Sequence, residues 1–117
     1  MLSLVPYEKA VRRLSDVVLD TAEDVARAQK LLRIRAEMIE RLCSVREMEG
    51  HRLRAQAELL DVESKLPGTE NPVHRLDYEG RRALAQARMA RSDLFIQQYT
   101  LEMDMFLVMA QQTGEGR

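Results

Sequence analysis

Residues 66–72 read Leu66-Pro67-Gly68-Thr69-Glu70-Asn71-Pro72, and they divide an otherwise helix-forming chain in two. Pro67 lacks the amide that a helix interior needs, and its ring clashes with the carbonyl four residues back. Gly68 is the residue type that most often ends a helix. Asn71 can accept from the free amides of a following helix, and Pro72 suits the first helical position. The stretch predicts one helix ending near Leu66, a turn at 67–71, and a second helix starting at Pro72.

Upstream, no proline and a single glycine, Gly50, lie between Pro6 and Leu66. Apolar residues recur at spacings of three and four, which is helical periodicity. One series is Val11, Leu14, Val18, Val25, Ala28, Leu32, Ile39 and Leu42. A second is Leu31, Ile34, Met38, Val45, Met48, Ala55, Leu59, Val62 and Leu66. The two are displaced by one position, about 100° around the axis. A helix with two adjacent seams touches more than one neighbour. The pattern predicts one long helix over about 6–66. Two points could interrupt it: Gly50, and a weak capping box at Thr21-Ala22-Glu23-Asp24 that would let the chain up to Asp20 fold back as a separate helix. Breaks near residues 20 and 50 would instead give a compact four-helix monomer.

Downstream, the second helix is expected over about 72–112, with Val73, Leu76, Ala83, Ala87, Ala90, Leu94, Leu101 and Val108 as apolar positions and a frayed tail at 113–117. Between Tyr99 and Met109 the apolar residues alternate like a strand, but Phe106, Val108 and Ala110 fill the other phase. Met and Leu favour helix there, with an apolar surface nearly all round. The fold class is all-α: an elongated antiparallel helical hairpin, coiled-coil-like, forming one helical domain over 1–117. Two helices alone close no core, so self-association or a partner should complete a bundle.

Composition narrows the function. The 117 residues are 45% apolar and only 4% aromatic, and 18 basic against 19 acidic groups leave a net charge of −1. No global field draws the chain to nucleic acid. The single cysteine, Cys43, forms no intramolecular disulfide and reads as a small buried hydrophobe. The segment Met1 to Pro6 lacks the basic start of a secretory signal, and the longest clean apolar run, Met105 to Ala110, is too short to span a bilayer. A cytoplasmic protein is expected.

Chemistry-bearing patterns are sparse. Glu47 and His51 are four apart, as are Glu70 and His74, but the di-iron bundle signature is Glu-x-x-His. A hairpin folded at residue 69 would also hold the two pairs roughly 20 Å apart. No glycine-rich phosphate loop, nucleophile elbow or zinc spacing is present. The expectation is a non-enzymatic protein with no cofactor, no metal and no small-molecule substrate.

Charge is segregated along the chain. Residues 27–54 carry +4 and 73–93 carry +2, while 1–26, 55–72 and 94–117 carry −2, −3 and −2. In the hairpin, position 88 would face about position 50, placing Arg46, Arg52 and Arg54 level with Arg81, Arg82, Arg88 and Arg91. Such a band suits an acidic protein surface.

These readings converge on a helical interaction or scaffold subunit, assembling with a second copy or a helical partner. Val18, Val25, Leu32, Ile39, Leu42, Leu59, Val62, Leu94, Tyr99, Phe106 and Val108 are the expected contact residues. Arg35, Arg41, Arg46, Glu49, Arg52, Arg88 and Arg91 interrupt or flank the seams and would set register. The alternatives are a membrane-associated module whose crossed helices resemble BAR domains in shape, and a small all-helical enzyme. The first lacks the basic excess that anionic lipid requires.

Overall fold

A computed structural model describes residues 3–20 and 24–114, with the side chains of 17–20 and 114 left out. The chain is all-α: α1 (Val5–Asp20), α2 (Val25–Lys65) and α3 (Pro72–Gly114), with a single 3-10 turn, Leu66–Gly68, between α2 and α3. At about 1.5 Å per residue, α2 and α3 are each roughly 60–65 Å long.

The break between α2 and α3 falls where its residues dictate. Asn71 Oδ1 accepts from the amides of Val73 at 2.9 Å and His74 at 3.4 Å, and Pro72 opens α3. The helix expected over 6–66 is two helices instead. Asp24 caps α2, its carboxylate accepting from the Arg27 amide at 3.1 Å. A cap satisfies amides that a continuous helix would bond internally, so Asp24 marks a true start. Thr21, Ala22 and Glu23 of the expected capping box lie outside the described residues. Helix α2 runs unbroken through Gly50. The expected tail enters α3 as far as Gly114; residues 115–117 lie outside the described ones.

The chain divides into two compact units, 1–45 with 98–117 and 46–97. In the first, α1 and the early part of α2 are antiparallel, and the late part of α3 packs on both. Its core is Tyr7, Val11 and Leu14 from α1, Leu31, Ile34, Met38, Leu42 and Val45 from α2, and Met103 and Ala110 from α3. Helix α1 thus supplies the third wall that a two-helix seam lacks.

The second unit is an antiparallel two-helix hairpin. Its buried residues are few and mostly small: Ala55, Val62, Ala85 and Ser92. Small side chains leave little to interdigitate. Ion pairs across the seam mark its alignment: Arg81 donates to Glu58 Oε1 at 2.9 and 2.6 Å, and Arg52 to Asp93 at 2.8 Å.

The two seams read from α2 separate for the most part, with Leu42 of the first series buried as well. Leu31, Ile34, Met38, Val45, Ala55 and Val62 of the second series are buried, whereas Val25, Leu32 and Ile39 of the first are exposed. Cys43, expected to be buried, is exposed. It follows Leu42 by one residue, and a turn of about 100° carries it off the packed face.

Candidate functional site

Helix α3 carries two seams. The inner one, Ile96, Tyr99, Met103, Phe106 and Ala110, has every member buried or half-buried. The outer one is Gln98, Leu101, Met105, Val108 and Gln112, spaced 3-4-3-4 and exposed at every position. At 100° per residue it lies about 180° from Met103. Leu101, Met105 and Val108 are 59%, 64% and 52% exposed. Leu94, 67% exposed, continues the same spacing toward the N-terminus of the helix. Alternating three and four is the spacing of the a and d positions of a coiled coil. Here it recurs on a face with no partner among the described residues.

Inside the first unit, polar side chains tie the helices together. The Tyr7 hydroxyl donates to Asp104 Oδ1 at 2.8 Å. Burial, then the Asp104 hydrogen bond and charge, push the Tyr7 hydroxyl up to about 12. Arg41 Nε donates to Glu102 at 2.9 Å, its Nη1 pairs with Glu37, and the guanidinium lies 5.4 Å from the Phe106 ring centre. The Glu102 hydrogen bond, above all, holds the Arg41 guanidinium above its ordinary value, although burial opposes it. Arg35 Nε donates to the Val11 carbonyl at 3.0 Å.

In the second unit the small seam residues leave a groove of about 480 Å³. Ala55, Ala85 and Ser92 border it, with Met48 and Phe95 adding apolar surface. Arg54, Arg88, Arg91, His51 and Glu58 supply its polar lining. Arg54 Nη2 is 3.0 Å from His51 Nδ1, and His51 Nε2 is 3.7 Å from Glu47. A guanidinium only donates, so in this contact Nδ1 is the acceptor. Arg91 lies 5.5 Å from the Phe95 ring centre.

The expected contact residues fall into three groups. Val25, Leu32, Ile39, Leu94 and Val108 are exposed. Leu42 and Val62 are buried, while Leu59, Tyr99 and Phe106 are half-buried, all within the chain's own packing. The side chain of Val18 lies outside the described residues. Of the polar set, Arg35 and Arg41 bind groups of their own chain, and Arg52 pairs with Asp93. Arg46 is exposed, Glu49 is half-buried, and Arg88 and Arg91 line the groove.

Sequence reasoning missed the outer seam members Gln98, Leu101 and Met105 as a set, and the groove formed around Ser92. The 4-3 spacing was available for the seam, but two glutamines disguised it. Alanine and serine at 55, 85 and 92 were the signal for the groove.

Among the described residues no helix is long and apolar enough to cross a membrane, and no three His, Cys, Asp or Glu side chains converge as metal ligands would. Neither protein-family models, nor curated proteins, nor solved structures give a match to this chain.

Proposed function

We propose that the protein is a non-enzymatic helical assembly subunit, pairing through the outer seam of α3 with a second copy of itself. The observation that carries this reading is the exposed 3-4-3-4 row Gln98, Leu101, Met105, Val108 and Gln112. Burying a side chain the size of Leu or Met contributes roughly 1.5–3 kcal/mol, so three such residues per copy form a substantial drive to associate.

The identity of the layers favours a second copy over an unrelated helix. Gln98 and Gln112 are two heptads apart and flank Leu101, Met105 and Val108. In a parallel, in-register pair, glutamine meets glutamine and each apolar layer meets its like. Paired amides satisfy one another across the seam, and a slipped register would bury an amide against apolar carbons. Leucine at the d-type positions 94 and 101 suits two strands. The exposed residues Val25, Leu32 and Ile39 of α2, in one seven-residue row, add a second face for larger assemblies. A cytoplasmic setting is the accompanying reading, supported by a chain with one cysteine and no disulfide.

Sedimentation velocity of a Leu101→Asp, Val108→Asp double variant tests the seam. Both residues are exposed, so the fold should survive. The expected result is monomer with unchanged helicity beside an associated parent. An unchanged sedimentation profile would place the contact elsewhere.

A further inference from the structure

The groove of the second unit has a charge pattern that the assembly reading does not use. Its one carboxylate, Glu58, is already held by Arg81 through two hydrogen bonds at 2.9 and 2.6 Å. Its three arginines are not neutralised in this way. Among the described residues, Arg54, Arg88 and Arg91 lie within ion-pair distance of no carboxylate, whereas Arg41, Arg52, Arg75 and Arg81 all do. Arg54 instead meets the His51 ring, and Arg91 lies over Phe95.

Three guanidinium groups around one hollow repel one another, and an anion relieves that repulsion. Each planar fork can also bind two oxygens of a phosphate or carboxylate at once. The hollow itself is of ligand size: about 480 Å³ lies within the roughly 300–1,000 Å³ usual for small-molecule sites. Its wall is amphipathic. Met48, Ala55, Ala85 and Phe95 give apolar area, and Ser92, on the inner face of α3, gives a hydroxyl. Helix packing explains the opening. Alanine and serine at the seam leave volume that the longer side chains around it border without filling.

We propose that this groove binds a small organic anion, its phosphate or carboxylate head held by Arg54, Arg88 and Arg91 and its apolar body lying against Met48 and Phe95. The site is contained in the second unit and does not depend on α3 pairing.

Titration calorimetry of the full chain at low salt, with 1-naphthyl phosphate, 1-naphthoate and inorganic phosphate as probes, tests this. The better of the two naphthyl probes should bind at least about tenfold more tightly than inorganic phosphate, because only it uses the apolar wall. Which of the two is tighter identifies the head group. An Arg88→Gln, Arg91→Gln double variant should weaken that binding at least about tenfold with helicity unchanged, since it removes two of the three charged forks. Arg75→Gln, an exposed arginine outside the groove, should leave it unchanged. Absence of heat with both naphthyl probes up to millimolar concentration would overturn the proposal. So would equal weakening by Arg75→Gln, which would reduce the effect to general charge attraction.

Discussion

The Tyr7 hydroxyl and the Asp104 carboxylate, 97 positions apart in sequence, form a 2.8 Å hydrogen bond that fastens α1 to α3. Tyr7→Phe keeps the buried ring and removes the bond. It should cost about 1 kcal/mol at neutral pH, measurable by urea denaturation. The Tyr7 hydroxyl is raised from 10.0 to about 12 in the fold. A raised value means that the folded state favours the protonated form. The associated stability is complete below pH 10 and is lost as pH climbs from 10 through about 12. The parent should therefore lose stability over that range faster than Tyr7→Phe does. Parallel pH curves for the two proteins would contradict the assigned bond.

Methionine at two positions separates inner from outer packing. Met38 is fully buried in the first unit, while Met105 is 64% exposed on the outer seam. Met38→Ala should cost about 2–5 kcal/mol through lost contacts and a cavity. At concentrations low enough to keep copies apart, Met105→Ala should change stability by less than about 0.5 kcal/mol. At higher concentration it should weaken association instead. Equal, concentration-independent losses would show that both residues are core.

Gly50 interrupts helix propensity without interrupting the helix. An added Cβ would meet only Arg54 Nη1, at 3.9 Å, which is ordinary contact. Gly50→Ala should raise the denaturation midpoint, with a gain of about 0.5–1 kcal/mol from reduced freedom of the unfolded chain. A loss of stability would mean that the backbone near residue 50 requires glycine.

Arg41 uses the shape of its head as well as its charge, reaching Glu102, Glu37 and the Phe106 ring together. Arg41→Lys keeps the charge but not the fork. It should cost nearly as much as Arg41→Met, on the order of 1 kcal/mol in each case. Full rescue by lysine would show that only the charge matters.

The turn and its flanks were legible because proline, glycine and asparagine act through local chemistry: Asn71 caps α3 with no help from distant residues. The two adjacent seams of α2 were legible for a similar reason, since periodicity is a property of one helix. Which seam turns inward is a tertiary outcome. Leu31 and Leu32 are indistinguishable by propensity, and contact with α1 and α3 decides that Leu31 is buried. Helix α3 was harder still. Its apolar residues surround it, so Leu94, Tyr99, Phe106 and Val108 all read as contact residues for a partner, whereas Tyr99 and Phe106 turn inward beside Met103 and only Leu94 and Val108 stay exposed. The break before Asp24 was signalled only by a weak capping box, against an apolar pattern that continues on both sides. The groove depends on the absence of bulk at Ala55, Ala85 and Ser92, which is apparent only when the two helices are aligned.

Native mass by light scattering across a concentration series is the most direct test of the assembly account. A chain that pairs through Gln98, Leu101, Met105, Val108 and Gln112 should show twice its 13.5 kDa mass and dissociate on dilution. A mass of 13.5 kDa at every concentration up to the millimolar range would contradict it.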